Sequence, residues 1–148
     1  RLPDMHFGIK PTENLLISGR FFGFHLERDT PQIIGSGMHY NFGGDTFWRV
    51  TFQKSAINGL NDFRLVSSSF HLEKYFTKSV FDIYLGIGSN SYINKSYYSS
   101  NNLPDKIEGK IKYFSSKVQF PYKDIKFGIT SKLSSELQIF QFFIIKGF

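Results

Sequence analysis

The stretch FDIYLGIG, residues 81–88, alternates large apolar residues with polar or small ones without a break. A β-strand sends successive side chains to opposite faces of its sheet, so a period of two in the sequence indicates a strand. One face would carry Phe81, Ile83, Leu85 and Ile87, and the other would carry Asp82, Tyr84, Gly86 and Gly88. The stretch therefore predicts a strand that separates two different environments.

The same period recurs along the chain and predicts an all-β protein of eight strands. It is clear in TFWRVTFQ, KIEGKIKYF and DIKFGIT. It is less regular in ENLLISGRFFGFHLE, QIIGSGMHYNF, DFRLVSSSFHLEK and ELQIFQFFIIKGF. In KIEGKIKYF, the alternation sets Ile107, Ile111 and Tyr113 against Glu108, Lys110 and Lys112.

The predicted connections are short and rich in turn-forming residues, and SSKVQFPY at 115–122 is one of them. The exception is the longer segment near 89–104. Short connections join neighbouring antiparallel strands, so the predicted topology is an up-and-down meander. The chain of 148 residues is expected to form one domain, with residues 1–13 as a lead-in.

Composition excludes several classes of function. The chain has no cysteine, and its four histidines are scattered, so disulfides, a thiolate nucleophile and a zinc site are not expected. No cofactor is predicted. The net charge of +6 is spread along the chain without a dense basic run, which argues against nucleic-acid binding. No stretch is long and apolar enough for a transmembrane helix.

Eight meandering strands are expected to close into a barrel, because an open sheet leaves two edges of unpaired backbone groups. A soluble lipocalin-like barrel would turn its apolar face inward around an apolar ligand. A transmembrane barrel would turn that face to lipid and keep the polar face inside. Glycines interspersed with charges on the polar face favour the membrane barrel, since a narrow interior must mix small and large residues. An aromatic content of 18% also suits interfacial girdles.

In strand number, length and loop pattern the chain resembles the small eight-stranded bacterial outer-membrane proteins, the OmpX type and the membrane domain of OmpA. Proteins of that family end in a phenylalanine that the barrel assembly machinery reads as part of an insertion signal. Phe140, Phe142, Ile144 and Phe148 match this pattern. The resemblance implies a location in the bacterial outer membrane, with outer-membrane lipid or lipopolysaccharide and the assembly machinery as partners. It also implies a non-enzymatic role in structure or surface interaction such as adhesion, in which other membrane or surface proteins are further candidate partners.

Charged and polar residues at the inward positions predict an interior network. Its predicted members are Arg49, Asp82, Tyr84, Glu108, Lys110, Lys112 and Lys126. Because buried charges persist only when paired, Asp82 and Glu108 are expected to contact cations across the interior.

Two further segments carry functional hypotheses. Some outer-membrane barrels are enzymes that modify lipid A, and His71 lies close to Ser69 and Glu73 in a pattern that a hydrolase could use. The surrounding sequence lacks the motif of that enzyme family.

The segment 89–104 contains Tyr92, Tyr97 and Tyr98, and tyrosine with serine makes an adaptable contact surface for a partner.

Overall fold

A computed structural model describes residues 5–23, 30–44, 47–60, 63–78, 80–97 and 104–146, with side chains up to residue 144. Across these ranges the secondary structure consists of β-strands joined by turns and short irregular segments. The strands are β1 Met5–Thr12, β2 Leu15–Gly23, β3 Gln32–Phe42, β4 Trp48–Asn58, β5 Phe63–Thr77, β6 Asp82–Ser96, β7 Lys106–Tyr122, β8 Ile125–Leu133 and β9 Gln138–Lys146. They form one sheet in the order of the sequence, from β1 to β9. The predicted all-β, antiparallel, up-and-down topology is therefore confirmed.

The predicted number of eight strands is wrong, because the segment taken as a lead-in contains β1. Met5, Phe7 and Ile9 alternate with polar or small residues, so the signal of a strand was present. Glu13 and Asn14 then make a two-residue turn into β2, in which the Thr12 hydroxyl accepts a hydrogen bond from the Leu15 amide at 3.1 Å.

The prediction of a closed barrel is not borne out either. Within the described residues the sheet has nine strands in an open order, and β1 and β9 are its two edges. β1 pairs antiparallel with β2, and β9 pairs antiparallel with β8. Every residue of β1 is exposed, as expected for an edge strand.

Two predicted connections belong to strands. SSKVQFPY forms the end of β7, and the turn into β8 lies at Lys123 and Asp124, where Lys123 has a φ of 53°. Pro121 is tolerated because it sits near the strand end, opposite Lys126. β6 likewise continues to Ser96, so the segment between β6 and β7 is shorter than predicted.

The chain divides into two compact units. The first comprises Arg1–Tyr40, Thr51–Phe70 and Asn90–Lys110, and the second comprises Asn41–Val50, His71–Ser89 and Ile111–Phe148. The division cuts across strands, since β3 to β7 each contribute residues to both units.

Burial in each unit is the reverse of that in a water-soluble domain. Among the described residues no hydrophobic side chain is buried, whereas Thr51 in the first unit and Ser115 and Gln119 in the second are buried polar residues. Large apolar side chains are exposed on alternate strand positions, and Phe142 reaches 80% exposure. We call the side of each strand that carries these residues the apolar face, and the opposite side the polar face.

Aromatic rings cover several of the strand glycines. Phe7 lies over Gly19, its direct partner across the β1–β2 ladder, and Phe143 lies over Gly128 across the β8–β9 ladder. In the β6–β7 pair, Tyr113 covers Gly88 and Tyr92 covers Gly109. A ring packed on a neighbouring glycine restores the contacts that the missing side chain would make. These glycines therefore make room for the rings beside them.

Candidate functional site

The second unit contains a network of charged and aromatic side chains on its polar face. We call it the polar cluster, and its members are Arg49, Glu73, Tyr75, Asp82, Tyr84 and Lys117. Arg49 is its central cation, because its Nη1 lies 3.8 Å from Glu73 Oε2 and its Nε donates to Asn41 Oδ1 at 2.9 Å. The side chains of Arg49 and Glu73 are 32% and 15% exposed, so the ion pair is largely shielded from water.

Tyrosines connect the second carboxylate to this pair. The Tyr75 hydroxyl donates to Asp82 Oδ1 at 2.9 Å. The Tyr75 ring also packs against Tyr84, with centroids 4.7 Å apart, and against Phe47, with centroids 4.5 Å apart. The guanidinium of Arg49 lies 5.6 Å from the Phe47 ring centre, so aromatic contacts surround the charges.

Lys117 lies between two aromatic rings. Its Nζ is 4.8 Å from the Tyr84 ring centre and 4.9 Å from the Phe143 ring centre. Cation–π attraction of this kind strengthens when water is excluded from the ammonium. The cluster thus holds two cations, Arg49 and Lys117, with two carboxylates, Glu73 and Asp82, and is balanced in charge.

This arrangement favours a structural role over a metal-binding one. Among the described residues no group of three or more His, Asp or Glu side chains could hold a metal ion. The carboxylates of Glu73 and Asp82 already contact Arg49 and Tyr75, so the cluster satisfies its own charges. We therefore expect it to stabilise the sheet.

The histidine that suggested a hydrolase has a different serine as its partner. His71 Nε2 lies 2.7 Å from Ser115 Oγ, across Gly86 on the intervening strand β6. Further along the same face of β5, the Ser67 hydroxyl donates to Asn90 Oδ1 at 2.6 Å. Ser115 is only 5% exposed, which leaves little room for a substrate to approach its hydroxyl. The contact is thus a part-buried polar pair beside the ring of Tyr113, whose centroid lies 5.7 Å from that of His71.

The structure brings together only part of the predicted interior network. Arg49, Asp82 and Tyr84 belong to the polar cluster. Lys126 lies on the polar face of β8 but is exposed.

The prediction for Glu108, Lys110 and Lys112 is wrong, because all three are exposed. Glu108 forms an ion pair with Lys106 on its own strand. Tyr113 covers Gly88 on the polar face, so by alternation the even-numbered residues of β7 lie on the other face.

Three members of the polar cluster, Glu73, Tyr75 and Lys117, are absent from the network predicted from the sequence. Glu73 was considered only as a neighbour of His71, although its alternation with Tyr75 and His71 places it on the same face. Lys117 was assigned to a turn. Its place between Tyr84 and Phe143 depends on strands distant in sequence, for which no local signal exists.

The other predicted sites fall on different parts of the chain. Phe140, Phe142 and Ile144 share one face of β9 and are strongly exposed, while Phe148 lies outside the described residues. Tyr92 belongs to β6 and covers Gly109, so it is not a loop residue. Tyr97 follows the strand and is 57% exposed, and Tyr98 lies outside the described residues.

Lys74 stands out on the apolar face of the second unit. Its Nζ lies 4.9 Å from the Trp48 ring centre and 5.5 Å from the Phe76 ring centre. Tryptophan and lysine side chains are typical of the boundary between hydrocarbon and head groups, where an apolar stem and a charged tip are both satisfied.

Replacing Glu73 by glutamine is expected to destabilise the protein by about 2 kcal/mol, because the largely shielded Arg49 and Lys117 would lose a nearby negative charge. Partial exposure of Arg49 keeps the loss below that of a fully buried pair. Glu108→Gln is the matched control and should change stability by less than about 0.5 kcal/mol, since the Glu108 side chain is 53% exposed. Urea unfolding of both variants measures the two changes. Equal effects would contradict the assignment of Glu73 to the cluster.

Across the described ranges, no helix is long and apolar enough to cross a membrane. Comparison of the chain with protein-family models, with curated proteins and with solved structures gave no match.

Proposed function

We propose that this protein is a non-enzymatic component of the bacterial outer membrane, whose strands cross the bilayer and whose role is structural or in surface interaction. The observation that carries the proposal is the reversed burial. The described side chains that are buried most deeply are polar, and large apolar side chains face outward on alternate strand positions. In water this arrangement would leave large apolar side chains exposed, with no apolar core to stabilise the fold. In a bilayer the same side chains would contact hydrocarbon.

The length of the uncharged zone on β5 supports a span of the bilayer. On its apolar face the strand carries charges at Arg64 and Lys74, and between them only Val66, Ser68, Phe70 and Leu72. Nine residues lie between these two charges in the sequence, which fits the about 9–11 residues of a tilted transmembrane strand.

The two alternatives have less support. A soluble barrel with an apolar ligand needs its apolar side chains turned inward, and the described apolar side chains are largely exposed. An enzyme acting on lipid A needs an accessible nucleophile beside His71, whereas Ser115 is almost fully buried.

The proposal places a requirement on the sheet edges. Hydrocarbon supplies no hydrogen-bonding partner, so backbone groups on the outer edges of β1 and β9 must be paired inside the bilayer. Closure of the sheet, as in the predicted barrel, would satisfy this requirement.

Membrane fractionation tests the proposal. After expression in a Gram-negative bacterium with an export signal, we expect the protein to sediment with outer membranes, to resist carbonate extraction and to migrate differently on gels before and after boiling. Recovery of a folded, monomeric protein from the aqueous fraction without detergent would contradict the proposal. Green fluorescent protein exported in the same way serves as a soluble control.

A further inference from the structure

Four exposed cations of the first unit lie on the apolar face of three neighbouring strands. We call them the basic cluster, and they are Arg64 on β5, Lys95 on β6, and Lys106 and Lys110 on β7. Residues an even number of positions apart on a strand share a face. Arg64 therefore shares the face of the exposed Phe70 on β5, and Lys95 shares the face of the exposed Ile93 on β6.

Cross-strand contacts define where these residues meet. The Ser67–Asn90 hydrogen bond joins facing residues of β5 and β6. Because the two strands are antiparallel neighbours, counting three residues back on β5 and three forward on β6 sets Arg64 opposite Ile93. Tyr92 covers Gly109, so the next position brings Ile93 beside Glu108 on β7. Neighbouring strands are about 4.8 Å apart, so one row across three strands runs from Arg64 over Ile93 to Glu108 within about 10 Å.

The adjacent row brings two like charges together. The Ser96 amide donates to the Asp105 carbonyl at 2.9 Å, which places Lys95 opposite Lys106 at the next position of the ladder. Directly opposed like charges destabilise a sheet unless a counter-ion joins them. Glu108 binds Lys106, and within the described residues Lys95 has no carboxylate partner.

Among the described residues, positive charge remains in excess after the nearby acidic residues are counted. Glu108 is the acidic residue within the rows, and Asp105 lies just before β7. The four cations of the basic cluster therefore exceed the two carboxylates by two. Lys110 extends the excess along β7, two positions beyond Glu108 on the same face.

The basic cluster borders apolar surface. Ile93 lies in the first row, between Arg64 and Glu108, and is 38% exposed. Further along the same face, Phe70 packs against Phe52 with ring centroids 5.0 Å apart, and both are exposed. A ligand that fits this surface must carry negative charge at one end and an apolar body next to it.

We infer that the basic cluster binds the phosphate-bearing head group of a membrane lipid, whose acyl chains lie against the neighbouring apolar face. The inference rests on the proposed function, because only a membrane-embedded sheet presents this boundary to lipid. Phosphate oxygens accept hydrogen bonds from lysine and arginine, and one phosphate between Lys95 and Lys106 relieves their repulsion. A soluble anion satisfies the charges but leaves Ile93 and the phenylalanines uncovered.

Native mass spectrometry of the protein from maltoside micelles tests the inference. The micelles contain either phosphatidic acid or phosphatidylcholine with the same acyl chains, and inorganic phosphate serves as the competitor without chains. We expect preferential retention of phosphatidic acid that inorganic phosphate does not displace. Lys95→Gln/Lys106→Gln should weaken this retention about tenfold or more, and Glu108→Gln should strengthen it about fivefold. The matched control, Lys10→Gln/Lys78→Gln, removes two exposed cations outside the basic cluster and should change it less than twofold.

The outcomes separate the inference from the proposed function. A protein that folds in micelles but retains both lipids equally, or loses phosphatidic acid equally in the two double variants, overturns the inference alone. Displacement by inorganic phosphate also overturns it, since a simple anion site would then suffice. A protein that folds in water and binds no micelle overturns the proposed function as well.

Discussion

Replacing Gly86 by alanine should destabilise the protein by about 3 kcal/mol, although it adds a single methyl group. A Cβ at this position would lie 2.7 Å from His71 Nε2, 2.8 Å from the Leu72 carbonyl oxygen and 2.9 Å from Ser115 Oγ. The carbonyl belongs to the backbone of the adjacent strand and cannot rotate away. Overpacking costs about 1–3 kcal/mol, and loss of the His71–Ser115 hydrogen bond would leave a buried hydroxyl unsatisfied at a further cost of about 1–3 kcal/mol.

Gly44→Ala is the matched control for this substitution. A Cβ at Gly44 would meet no atom within 4 Å, and Gly44 is not one of the glycines with positive φ. We expect it to change stability by less than about 0.5 kcal/mol. Urea unfolding in detergent micelles compares the two variants. If Gly86→Ala were as stable as Gly44→Ala, the close contact between β5, β6 and β7 at this position would be wrong.

Replacing Ile87 by lysine should destabilise the protein by about 2–4 kcal/mol in a bilayer, because the ammonium would have to leave water near the middle of the membrane. Ile87 follows Gly86 directly but belongs to the apolar face, where its side chain is 60% exposed. The outward positions of β6 from Ile83 to Ile93 carry no charge, so Ile87 lies close to the centre of the uncharged zone.

The effect of this lysine depends on the solvent that Ile87 meets. On the surface of a soluble protein, a side chain with this exposure tolerates lysine with little loss, within about 0.5 kcal/mol. Ile87→Leu keeps the apolar character and should be neutral in either case. Folding titrations in phospholipid vesicles measure the difference, and a neutral Ile87→Lys would contradict contact with hydrocarbon.

Alternation predicted the faces of strands correctly where one environment is apolar along their whole length. In β6 it separated Leu85 and Ile87 from Asp82 and Tyr84, as the structure has them. It failed for the first half of β7, whose outward positions carry charges. Alternation shows which residues share a face, but it identifies the polar face only where the opposite face is apolar. The lysines on the apolar face of β7 therefore led to the wrong assignment of its two faces.

Long-range contacts were beyond prediction for a different reason. Ser115 and His71 are 44 residues apart, and their hydrogen bond depends on a glycine at position 86 of the strand between them. Register between strands decides which side chains meet, and a shift by one residue would turn each to the opposite face. The members of the polar cluster were partly recognisable by type, but their pairing follows from register.

The assignment of the apolar face to lipid can be measured directly along β6, because the chain contains no cysteine to interfere with single-cysteine spin labels. Labels are placed in turn at Asp82, Tyr84, Leu85 and Ile87 in protein reconstituted into phospholipid vesicles. Electron paramagnetic resonance then records collision with oxygen, which concentrates in hydrocarbon, and with a water-soluble nickel chelate. We expect high oxygen and low nickel accessibility at Leu85 and Ile87, with both low at Tyr84. High nickel accessibility at Leu85 and Ile87 would show that this face meets water and would contradict the account.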